Sequence, residues 1–324
     1  MPRGDVDSLV AEAMTHVGAR CPRVAPHPDG ETVAIEARVW AHRTGLHAAA
    51  DGGEVDRTRP VAPVAEVMRD APIGVLRIGA LFATWLAVLA DRAETAGWDA
   101  DYCASLVSVV KEGYTTGADA LHFALTDIYE RIVAAGGTGL LPELADALAR
   151  HTAAACREQR WLSAESPPGL AEFLDNRVDR TAVPMLTVLH RLDPALGGPG
   201  GPIADGVPPL DELAGLLNGV DEDLAGYPQA VETGTRLSLV PVLMREYGHS
   251  VPTAFQSATV LFGAWRTQLD HGVRELHRLP GVAPATLRQA EAAADWVGAL
   301  HRRNAARHAA LTASHVAART VPVG

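Results

Sequence analysis

The chain has 324 residues, 48% of them hydrophobic and 5% aromatic, with 28 Lys and Arg against 39 Asp and Glu for a formal charge of -11. That length and apolar content suit one large domain, or two intimate helical halves, with a sizeable core. The acidic balance argues against nucleic acid and against a broad basic face for anionic membrane, while leaving room for a local basic pocket. Cys21, Cys103 and Cys156 stand far apart with no short Cys/His spacing, so neither a zinc site nor a disulfide framework is indicated, and a reducing cytoplasm is the default location.

The first residues lack the continuous apolar core of a secretion signal, and polar residues interrupt their helical pattern. They are read as a flexible N-terminal segment, 1–30, ahead of one α-domain over 31–310 and a C-terminal tail over 311–324. No later segment reads as an uninterrupted apolar run of transmembrane length, so stable membrane insertion is not expected. Apolar residues return every three or four positions through Ala-, Leu- and Arg-rich stretches, and alternating β-branched runs are scarce; the chain reads as all-α. Periodicity predicts helices at about 33–45, 62–70, 73–94, 99–111, 117–134, 141–161, 169–190, 209–230, 234–247, 251–277 and 283–310. The breaks fall at PHPDG from Pro26, at Arg69 to Pro72, at AAGGTGL over 134–140, and in the Gly/Pro-rich connector from Asp193 to Pro209.

Several residues on these helices carry usable chemistry. Asp91 and Glu94, three apart at the end of the 73–94 helix, share a face and present oxygens that suit a hard cation, as they also suit a solvated helix end. Asp221, Glu222 and Asp223 form an acidic run before Gly226 and Pro228; local pattern favours a charged surface turn, since three successive helical residues cannot all face inward. Arg177 and Arg180 can clamp a diphosphate with their planar donor forks, or pair with Glu172, Asp175 or Asp179 on a wet face. Arg302, Arg303, Arg307 and His308 suit the last turns of a helix. Phe82 and Trp85, three apart and ahead of Asp91, are the favoured aromatic walls of an apolar pocket, with Trp40, Phe123, Tyr227, Phe262 and Trp265 as further candidates.

In this order the motifs resemble the bacterial class I terpene synthase family over roughly residues 35–310. LFATWLAVLADRAE, Leu81 to Glu94, is similar to the helix that ends in that family's aspartate-rich magnesium motif, with Ala90 where the first carboxylate belongs. EDLAGYPQA resembles its second magnesium motif, with Glu222 at the Asn position, Gly226 at the hydroxyl position and Ala230 at the glutamate position. The following text, YPQAVETGTRLSLVPVLMREYG, continues as the family does; the stretch from Trp161 to Arg180 is similar as well. The resemblance implies a helical bundle around a central apolar cavity and Mg2+ held by Asp91, Glu94, Glu222 and Asp223. It also implies diphosphate contacts from Arg177 and from Arg307 with His308, and a pocket shaped by Phe82, Trp85 and Tyr227. Homodimerisation enters only as a family-level expectation.

Three readings follow. The first, adopted because its residues can be named, is an atypical terpene synthase that ionises a linear isoprenyl diphosphate with magnesium and cyclises the carbocation. The second is a metal-independent enzyme using the same cavity for another hydrophobic substrate, including a haem or other apolar cofactor held by a histidine such as His122 or His190. The third is a noncatalytic isoprenoid- or partner-binding protein.

Overall fold

The structure is a computed structural model and describes residues 3–46, 60–115, 117, 119–164, 167–198, 210–233 and 237–320. The described residues form helices α1 (Arg3–Gly18), α2 (Gly30–Arg43), α3 (Val61–Val67), α4 (Ile73–Ala96), α5 (Ala100–Glu112), α6 (Ala120–Ala134) and α7 (Leu141–Ser163). They continue as α8 (Leu170–Arg180), α9 (Val183–His190), α10 (Leu210–Thr233), α11 (Leu239–Tyr247), α12 (Val251–Arg278) and α13 (Pro284–Thr320). No strand occurs among the described residues. Local chemistry sets many ends: Asp99, Asp119 and Ser250 cap α5, α6 and α12 by accepting the third backbone amide, and Gly113, at φ 76, turns the chain out of α5.

α4 is apolar all round because it packs on α2, α3, α6 and α9. Its length and composition alone would let it cross a membrane, but Arg77 interrupts the apolar run and 72% of that span is buried inside the bundle. α9 is the innermost short helix, meeting α4, α7, α10 and α13; Val183, Met185, Leu186, Thr187, Val188, Leu189 and His190 are all buried. The single helix expected over 169–190 breaks between Arg180 and Val183. Pro184 explains the break, since its ring lacks an N–H and collides with the carbonyl four residues back, that of Arg180.

The segment expected to be a flexible leader is instead folded. α1 buries Val6, Val10, Ala13, Met14 and Val17 against α10, α12 and α13. The spacing 6, 10, 13, 17 is an apolar stripe that the intervening Asp5, Asp7, Ser8 and Glu12 disguise on the outer face. Deleting residues 1–20 should therefore lower the thermal midpoint by many degrees, where removal of a loose leader would leave it unchanged. At the other end, α13 runs on to Thr320, through most of the expected tail.

Candidate functional site

α10 carries the degenerate second motif inside a continuous helix, not on a surface turn. Successive helical residues rotate by about 100°, and the three acids accordingly face different neighbours. Asp221, 1% exposed, lies 2.8 Å from His301 Nδ1 and accepts from Asn304 Nδ2 at 2.7 Å, both on α13. Glu222 accepts from Arg303 at 3.1 Å. Asp223, also buried, accepts two hydrogen bonds from Arg177 of α8 and one from the Leu239 amide at 3.1 Å.

Arg177 is held from a second side, donating from Nη1 to Glu158 of α7 at 2.7 Å, while Arg180 takes the other Glu158 oxygen at 2.8 Å. Burial works against its charge; Asp223 and Glu158 outweigh it and hold its pKa above the ordinary arginine value. Burial pushes the Asp223 carboxyl up, with the Arg177 guanidinium opposing. The residue expected to meet a diphosphate is thus enclosed in a carboxylate–guanidinium network of the protein's own, and the local partners Glu172, Asp175 and Asp179 are not the ones it chooses.

Arg307 is exposed and donates to Gln229 at 3.4 Å. The adjoining His308 has its pKa lowered by burial first, then by Arg3, with Asp7 opposing. Asp91 is half-buried in the last turns of α4. Glu94 lies in the same helix, and its side chain is outside the described residues. Ala90, Gly226 and Ala230 offer no side-chain oxygen. Among the described residues, no group of three or more His, Cys, Asp or Glu is arranged to hold a metal.

The aromatic pair is likewise placed otherwise than expected. Phe82 and Trp85 are both 0% exposed, so protein surrounds them on every side and neither lines a space that water enters. Their ring centroids are 5.5 Å apart, and Trp85 donates its indole N–H to the Leu121 carbonyl at 2.9 Å. Tyr227, buried, meets Phe255 edge-on at 5.1 Å; Phe123 lies on the surface.

Both ring nitrogens of His122 are engaged, Nδ1 by Asp119 and Nε2 by Ser105, each at 2.7 Å, which leaves none for iron. His190 is different: its Nδ1 is buried without a hydrogen-bond partner, as are Thr187 Oγ1 on α9, Asn218 Oδ1 on α10 and Trp296 Nε1 on α13. Sequence reasoning missed Thr187, Asn218 and Trp296, because an apolar stripe hides its polar members until the helices that meet there are known.

Burial, reinforced by Arg69, lowers the His190 pKa to about 4, and burial with Arg180 lowers that of His151 to about 3. Both start from 6.5, so below that pH the unfolded chain binds protons the folded protein refuses. Their contribution to stability is complete above about 6.5 and is lost as pH falls toward the folded values. Asp211, raised to about 6 chiefly by burial and next by Glu143, acts in the opposite sense, its contribution being lost as pH rises through 6. With two histidines against one aspartate, the thermal midpoint should fall between pH 6.5 and 4, and a His151→Asn/His190→Asn variant should fall less steeply.

The described helices thus form an all-α bundle. The model of Terpene synthase family 2, C-terminal metal binding, matches residues 98–267, more than half of the 324 residues, and the chain belongs to that family. The match spans α10 and ends short of α13; α4 lies before it. Among proteins of curated function none matches the sequence. Solved structures share the fold at low identity. An SVS_A2 variant from ancestral sequence reconstruction superposes with a TM-score of 0.74 at 17% identity, covering 88% of this chain and 87% of its own. Linalool/nerolidol synthase from Streptomyces clavuligerus, in complex with 2-fluorogeranyl diphosphate, gives 0.70 at 18%, covering 88% and 97%. A variant of cucumene synthase gives 0.67 at 19%, covering 88% and 96%.

Proposed function

We propose that this family member takes an apolar, isoprenoid-type ligand within the bundle and acts on it without magnesium-driven loss of diphosphate. The observation that carries this reading is the engagement of both acids of the second motif and of the acid just before it: Glu222 by Arg303, Asp223 by Arg177, and Asp221 by His301 and Asn304. A magnesium cluster needs hard oxygen donors with unspent charge. Here arginines already pair with Glu222 and Asp223, Asp221 is held by His301 and Asn304, and Ala90 and Ala230 remove two donors outright. The metal set that the family implies does not fit these residues. These engagements support the second reading of the sequence, altered chemistry on the same framework, over the first.

The test is purified protein incubated with C10, C15 and C20 isoprenyl diphosphates and with the corresponding alcohols, with magnesium and with chelator. Saturable quenching of tryptophan fluorescence by an alcohol, with no magnesium-dependent diphosphate release, is the expected result. Magnesium-dependent cyclic product overturns the metal-independent reading, and absence of any saturable binding overturns the ligand.

A further inference from the structure

Next to the last turns of α4, helices α5 and α6 bring together three side chains that the proposed function does not use. Ser105, half-buried on α5, places Oγ 2.7 Å from His122 Nε2 on α6. His122 Nδ1 stands 2.7 Å from Asp119 Oδ1, and Asp119 takes the Tyr102 hydroxyl on Oδ2, also at 2.7 Å. Burial works to raise the Asp119 carboxyl, but the hydrogen bonds from Tyr102 and His122 outweigh it and hold the pKa below its ordinary value.

That ionised carboxylate only accepts hydrogen bonds, so Nδ1 carries a proton, and in the neutral imidazole Nε2 presents its lone pair to the serine hydroxyl. The neighbourhood fixes this arrangement. Tyr102 meets the imidazole edge-on at 5.1 Å, and the Arg92 guanidinium lies 3.7 Å from the Tyr102 ring centre, setting positive charge beside the site. Gly117 closes backbone over the imidazole; a methyl group there would stand 2.4 Å from the ring. His122 is 2% exposed, while Ser105 keeps part of its surface.

Two of the contacts also serve the helices. Asp119 caps α6 through the His122 amide at 3.1 Å, and Ser105 Oγ donates to the Tyr102 carbonyl at 2.6 Å one turn back, so its one proton reaches Nε2 only when the hydroxyl turns away from that carbonyl. Neither role calls for a histidine bridging acid and hydroxyl, which is the connection that activates a nucleophile.

We propose that Ser105, His122 and Asp119 form a base-activated serine nucleophile that accepts acyl groups from carboxylic esters. Ser105 Oγ bonds to the carbonyl carbon as its proton passes to His122 Nε2. The ester C–O bond then breaks, and the departing alcohol takes that proton, leaving an acyl-serine. Water attacks the acyl carbon by the same route, giving a proton through Nε2 back to Ser105 and releasing the carboxylic acid. Asp119 is the positioning residue, holding the imidazole in the required tautomer.

The site is independent of any isoprenoid ligand, and its test is correspondingly separate. The full chain is treated with a fluorophosphonate at neutral pH and mapped by mass spectrometry, and p-nitrophenyl acetate is followed for a burst of nitrophenol. A single adduct on Ser105 is expected, with none in Ser105→Ala and labelling slowed about 100-fold in His122→Gln. Asp119→Ser retains a hydroxyl able to cap α6 but removes the carboxylate; it should fold like the wild type by circular dichroism and label at least tenfold more slowly. The proposal is overturned by the absence of an adduct in folded protein, by an adduct on another serine, or by wild-type labelling rates in folded His122→Gln or Asp119→Ser.

Discussion

Asp223→Ala should cost about 3–5 kcal/mol, because it leaves the Arg177 guanidinium enclosed with half its partners gone. The side chains of Arg177 and Asp223 are 13% and 3% exposed, so water cannot replace the lost acceptor, and the Leu239 amide loses its partner as well. Arg177→Ala should cost less, since Glu158 keeps Arg180, although Asp223 would then retain only the amide. The double replacement Arg177→Met/Asp223→Leu should recover much of the loss, as buried pairs exchanged for apolar residues of similar volume commonly do. Thermal and urea denaturation of the three variants decides the matter. If Asp223 instead served chiefly as a metal ligand, the single variant would keep its stability and lose a magnesium-dependent activity.

The second large effect belongs to Trp85. Trp85→Ala should cost about 3–5 kcal/mol, combining the lost transfer of a large side chain with the cavity left behind. The site has little freedom to collapse: Trp85 is wholly enclosed in a helix packed on four neighbours, and its indole satisfies the Leu121 carbonyl. Trp85→Phe should cost less, because it keeps most of the packing and gives up the hydrogen bond. A cavity wall would answer differently, with stability nearly intact and ligand affinity altered. Denaturation midpoints measured beside ligand titration separate the two roles.

These two sites show where one-dimensional reading succeeds and where it stops. The periodicity that predicts a helix at about 73–94 is a local property, and α4 runs from Ile73 to Ala96. The same periodicity says only that Phe82 and Trp85 face something apolar. Whether that is a cavity or packed protein depends on α2, α3, α6 and α9, which come from other parts of the chain. The N-terminal segment differs from expectation for a related reason: polar residues interrupt the apolar stripe of α1, which has meaning only once α10, α12 and α13 cover it.

The acidic residues make the contrast sharpest. Sequence alone determined the helical class, most of the helices, the family resemblance and the loss of donors at Ala90 and Ala230, because each depends on residue type and near-neighbour spacing. Only tertiary structure decided what the remaining charges do. Arg177 finds Asp223 46 residues away and Asp221 finds His301 80 residues away; Ser105 and Asp119, read separately, are a helical serine and a helix cap until His122 joins them. An ionised group's role is set by whichever partner shares its low-dielectric surroundings, and that partner is chosen by helix packing, at distances along the chain that no local pattern spans.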